Sequence, residues 1–129
     1  MRLIQIPNRR PPPPPVEEKD LPPRRLAEDF FAFDALEITA ATLPGLFSWN
    51  AFDPGSQLLF EAASQEDPGK ALLDLGCGTG ILGAAFAKRF PNTQATLSDD
   101  LAAAIRAAER TVALNGLEAQ CRVAGEDGL

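Results

Sequence analysis

The sequence predicts an α/β fold built on a parallel, doubly wound sheet, and three observations carry that expectation. From residue 71 onward, short apolar runs alternate with helical stretches in the order strand, helix, strand, helix, strand. Gly76, Gly78 and Gly80 follow directly on the first of those runs. Pro91-Asn92 and Asn115-Gly116 stand where the two helices must stop. Parallel strands joined this way take right-handed crossovers, so the five elements make one Rossmann-like parallel sheet.

The elements follow in chain order. Residues 7–23 hold eight of the twelve prolines, among them the run Pro11 to Pro15, and proline's locked φ and missing N–H exclude helix or sheet there. Residues 1–25 read as a disordered, proline-rich basic arm, a solvated leader or alternatively a ligand for an SH3-like partner. Residues 26–69 read as a packing segment. Its apolar residues Leu26, Phe30, Phe31, Phe33, Leu36 and Ile38 follow no clean period, so helix and strand stay open. Leu43-Pro44-Gly45 and Asp53-Pro54-Gly55 impose turns, and Gln57 to Ala63 reads as a helix capped by Ser56 or Gly55 and stopped by Pro68-Gly69. Residues 70–129 carry the sheet: strands at 71–75, 94–98 and 119–124, and helices at 81–90 and 101–114, with Asp100 as the cap of the second helix. Only three strands are accounted for when the chain reaches Leu129, so the sheet is expected to be the N-terminal half of a larger one, truncated after its third strand. A half-sheet exposes a strand edge and an apolar face, which predicts self-association.

Composition excludes several classes. The net charge of −6 divides into +3 over residues 1–25 and −9 over the rest, so the body offers no broad phosphate-binding face. No run of 18 apolar residues exists, and Met1 to Pro7 has neither the apolar stretch nor the cleavage site of a signal peptide, so a cytoplasmic location with no membrane partner is expected. Cys77 and Cys121, in a chain without histidine, make no zinc site and read as free thiols.

The glycine turn is where chemistry is expected. Glycines let the chain leave the strand tightly, let a ligand approach the backbone, and aim the next helix's N-terminus at it. Gly78-Thr79-Gly80-Ile81-Leu82-Gly83 matches the dinucleotide pattern letter by letter, which keeps a nicotinamide-dependent oxidoreductase open. Counted from Gly76, which directly follows the strand, the spacing is instead GxGxG. Asp74, inside the apolar strand, must find hydrogen-bond donors, either loop N–H groups or a cationic ligand amine. Asp99, closing the second strand, can accept both hydroxyls of a ribose. Glu126 or Asp127, after the third strand, can accept from an adenine amino group.

These residues carry a family resemblance. Leu72 to Gly80 resembles motif I of class I S-adenosylmethionine-dependent methyltransferases, and Asp99 resembles the acidic residue of their second motif. Gly45 to Ser48, followed by Asp53-Pro54-Gly55-Ser56-Gln57-Leu58-Leu59, resembles the segment before the catalytic domain of ribosomal RNA (16S) guanine-N2 methyltransferases of the small-domain family, and the likeness runs over roughly residues 43–127. The resemblance implies that Gly76, Gly78 and Gly80 hold the methionine end of S-adenosyl-L-methionine, while Asp74, on the reading of the residues themselves, braces the loop and can also meet the cofactor. It further implies that Asp99 holds the ribose, that Asp127 or Glu126 contacts adenine, that Ser56 and Gln57 help enclose the methionine portion, and that ribosomal RNA is the partner. The family's Asn-Pro-Pro-Phe motif, which positions the base amine, has no match in these 129 residues. The chain therefore reads as the donor-binding part of an enzyme whose catalytic residues lie elsewhere, or else as a non-catalytic binding module.

Overall fold

A computed structural model describes residues 23–26, 29–46 and 52–125. The proline run, Glu126 and Asp127 lie outside the described residues. Two three-stranded sheets share the fold: an antiparallel one, β1 (Arg24–Arg25), β2 (Phe31–Ala35) and β3 (Ile38–Thr42), and a parallel one, β4 (Ala71–Leu75), β5 (Gln94–Asp99) and β6 (Cys121–Gly125). The helices are α1 (Pro54–Ala63), α2 (Ile81–Arg89) and α3 (Ala102–Leu114).

The parallel half follows the sequence pattern closely. β4, β5 and β6 lie side by side in that order, with Leu73 opposite Thr96 and Thr96 opposite Arg122. α3 ends in a Schellman turn: Gly116 takes φ +66°, its N–H reaches Ala113 O, and the Leu117 N–H reaches Val112 O. One local expectation is corrected. Asp100 does not cap α3; the N-cap is Leu101, whose N–H is taken by the Asp99 carboxylate at 3.0 Å. Leu97 is fully buried among Ala95, Ala108 and Val112, while Leu73 and Leu75 of β4 stay largely exposed on the face and edge that nothing covers among the described residues.

The part of the packing segment left open between helix and strand is a β-hairpin, β2 and β3. Its lack of period has a physical cause: both faces of β2 and β3 are buried, so no polar residue marks every second position. Phe33, Ala35, Ile38 and Ala40 pack on Ile81, Ala84 and Ala85 of α2, and Phe30 and Ala41 pack on Ala104 and Ala107 of α3. The hairpin closes through Leu36 and Glu37, both left-handed at φ +53° and +61°, a turn normally made by Asn-Gly. Packing of Leu36 on the α2 cluster and donation from Lys88 Nζ to Glu37 O hold this turn.

Two boundaries shift. The basic arm does not reach residue 25: Arg24 and Arg25 pair with Ala32 and Phe31, and the Arg24 guanidinium grips Asp34 with two bonds of 2.8 and 3.0 Å. α1 starts at Pro54 rather than after Ser56, because the Asp53 carboxylate accepts from Ser56 N at 3.1 Å and proline suits the first helical position. α1 buries no residue fully and leaves Leu58 and Leu59 exposed. No described helix is long and apolar enough to cross a membrane.

Candidate functional site

β4 hands the chain to α2 through three left-handed glycines, Gly76 at φ +67°, Gly78 at +54° and Gly80 at +79°. A Cβ added at Gly76 or Gly78 would meet nothing within 4 Å, so what these positions require is the backbone angle, and what they leave is open space above the loop. Gly80 is different. Its Cβ would fall 2.9 Å from Leu97 and 3.0 Å from Ala108, so it serves the close approach of α2 and α3 to the sheet. Gly83, one turn into α2, is equally tight, with an added Cβ 2.8 Å from Leu97.

The two strand-end carboxylates are fixed by backbone donors. Asp74 accepts from Gly83 N at 3.1 Å, and Asp99 accepts from Gly78 N at 2.9 Å through its other oxygen than the one held by Leu101. Asp99 thereby braces the loop while retaining lone pairs for a ligand. Their electrostatics diverge. Burial pushes the Asp74 carboxyl up to about 6, against the pull of the Gly83 N–H and with help from the nearby charge of Asp99. Burial also works on Asp99, but the Leu101 and Gly78 N–H groups outweigh it and hold that carboxyl below its ordinary value. Cys77 is no nucleophile: burial, then Asp74 and Asp99, push its thiol up to about 12.

A cleft opens above the loop. Its floor is Asp74, Gly76, Gly78 and Asp99, and its opposite wall comes from Phe33 of β2, Leu46, Phe52 and the start of α1. Of the residues expected from sequence, the fold brings Asp74, Gly76, Gly78, Asp99 and Ser56 together here. Gly80 sits behind the loop, and Gln57 does not line the cleft, since its amide donates to Glu61 at 2.7 Å along α1. Asp127 lies outside the described residues. Asp53, Phe33, Leu46 and Phe52 were not legible as site residues; only Asp53 carried a signal, standing before Pro54 where a helix cap belongs. The described lining thus holds three carboxylates, Asp53, Asp74 and Asp99, and no lysine or arginine. The carboxylates of such a site accept from hydroxyl and ammonium donors.

Residues 37–129 match the family model described as methyltransferase small domain. The chain belongs to that family. It is 42% identical over 95 residues to Ribosomal RNA small subunit methyltransferase C of Escherichia coli (strain K12 / DH10B), covering 73% of this chain and 27% of that protein. With the protein of the same name from Shigella flexneri serotype 5b it shares 45% over 83 residues, 64% of this chain and 24% of the relative. The chain thus spans about a quarter of the length of these relatives. A tRNA (uracil-54, C5)-methyltransferase from Pyrococcus abyssi, solved with S-adenosyl-L-homocysteine, superposes with a TM-score of 0.60 at 22% identity over 78% of this chain and 24% of that one. At that identity the likeness concerns the fold, which is the class I fold this family shares.

Proposed function

We propose that this small methyltransferase domain binds S-adenosyl-L-methionine and supplies the donor-holding part of a methyl transfer to ribosomal RNA, with a guanine N2 amine as acceptor. The observation that carries the donor assignment is the acidic cleft over the glycine loop. The ligand carries an ammonium, a sulfonium and a carboxylate and is positive overall, so the three carboxylates suit its cationic groups, whereas the described lining residues include no lysine or arginine for the pyrophosphate of a nicotinamide dinucleotide. Asp99 would take the ribose hydroxyls, Asp74 the ammonium side, and Gly76 and Gly78 the close backbone approach. When bound, the cofactor supplies an electrophilic methyl group; the residues named here bind and orient it.

The acceptor assignment rests on the relatives, whose names place them on small-subunit ribosomal RNA. In this reading the base is positioned by an Asn-Pro-Pro-Phe type segment that the 129 residues do not contain. Isothermal titration of the chain with S-adenosyl-L-methionine, S-adenosyl-L-homocysteine and NADH tests the donor site: heat with the first two and none with NADH is expected. Binding of NADH alone would favour an oxidoreductase. Incubation with labelled cofactor and ribosomal RNA is expected to leave the RNA unmethylated by this chain alone, and transfer to RNA would contradict the placing of the acceptor site elsewhere.

A further inference from the structure

Phe33, on one wall of the cleft, belongs to a sheet that among the described residues shares no strand pairing with the parallel sheet under the glycine loop, so docking on the helices must fix the distance between them. Among the described residues β3 is an edge strand, and the outward N–H and C=O groups of Thr39 and Ala41 face no neighbouring strand there. α3 meets that edge instead. Asn115 Oδ1 accepts from Thr39 N at 3.0 Å, and Asn115 Nδ2 donates to Thr39 O at 2.8 Å. One turn earlier, Thr111 Oγ1 accepts from Ala41 N at 2.9 Å and faces Ala41 O at 3.5 Å. The match is geometric: four residues of helix rise about 6 Å, and two residues of strand rise about 6.6 Å, so polar side chains at i and i+4 meet alternate strand residues. Thr111 is fully buried, and Asn115 also donates to Thr111 O at 2.7 Å, which fixes its amide.

The same helix is anchored at its other end to the cofactor floor. Its N-cap Leu101 gives its N–H to Asp99, and Leu101 and Ala104 line the cleft. The hairpin that Thr111 and Asn115 hold carries Phe33, which lines the cleft from the other side. We infer that Thr111 and Asn115 are positioning residues for the cofactor: through the β3 edge they set how closely the Phe33 wall stands over the glycine loop, without touching the ligand themselves. This rests on the cofactor reading above.

The test pairs amide hydrogen exchange with titration of S-adenosyl-L-homocysteine, on the 129-residue chain carrying Thr111→Val, Thr111→Ser or Asn115→Ala. In the wild type the Thr39 and Ala41 amides are expected to be protected. Thr111→Val is expected to free the Ala41 amide and Asn115→Ala the Thr39 amide, each leaving the β5 amides protected and weakening the ligand roughly tenfold through lost preorganisation of the cleft. Thr111→Ser, which keeps the hydroxyl, is expected to restore both readouts. Freed amides with unchanged affinity overturn the inference, and so do amides that stay protected in both variants. If Asn115→Ala unfolds the whole chain, Asn115→Asp, which keeps the acceptor for Thr39 N but replaces the amide donor by a charged carboxylate facing Thr39 O and Thr111 O, carries the comparison, and wild-type affinity there overturns the inference equally. Absence of binding by the wild type contradicts the cofactor reading itself, which is a separate result.

Discussion

The parallel β4–β6 unit and the β2–β3 hairpin are built on opposite principles. In the parallel unit the backbone pairs with itself, and glycines at Gly76, Gly78 and Gly80 meet the demands of the turn. In the hairpin the turn is made by Leu36 and Glu37 against their preference, and the outer edge is closed by side chains of α3. One region is thus specified locally, and the other is specified by what it packs against. The cleft lies where the two meet.

Perturbations should separate them, beginning with the largest. Gly80→Ala combines a left-handed φ with a collision against Leu97 and Ala108, and is expected to cost about 4 kcal/mol in urea unfolding, from strain and overpacking together. Asp74→Asn acts in the other direction. The folded carboxyl, at about 6, lies above its unfolded value, so its neutral form is favoured by folding. That stabilisation is full below about pH 4 and lost as pH rises through 6. An asparagine keeps the acceptor for Gly83 N and never ionises, so at pH 7 the variant is expected to be more stable by up to about 3 kcal/mol and to lose this pH dependence. Equal stability of variant and wild type from pH 4 to 7 would show that Asp74 is not desolvated.

Smaller effects belong to the hairpin. Asn115→Ala leaves the Thr39 N–H and C=O unpaired and is expected to cost about 2 kcal/mol by the same urea measurement. Glu37→Gly, which relieves one left-handed residue, is expected to gain about 1 kcal/mol, readable as a raised melting temperature. A loss on Glu37→Gly would mean that Glu37 contributes contacts worth more than its backbone strain.

The same contrast explains what was legible in the sequence. The strand–helix alternation after residue 70 could be read because Gly76, Pro91 and Gly116 punctuate it and because β4 to β6 are short apolar runs. The hairpin could not: burial on both faces erased its period, and Leu36-Glu37 contains no turn-forming residue. In the site, Asp74 and Asp99 stood out as acids within or closing apolar strands, and both line the cleft. Phe33 and Leu46 reach it only through docking on α2 and α3, which no local pattern encodes. Gln57 is missing from the cleft because the helix begins at Pro54, which puts Ser56 toward the loop and turns the next residue toward Glu61.

Mapping of the ligand by amide chemical shifts addresses the central claim most directly, since it reports both walls of the cleft at once. On adding S-adenosyl-L-homocysteine, the largest changes are expected at Gly76, Gly78 and Leu101 on one side and at Phe33 and Ser56 on the other, with Arg122 and Val123 of β6 unmoved. Changes confined to other surfaces, or none at saturating ligand in a folded sample, would contradict a cofactor site held between the glycine loop and the hairpin.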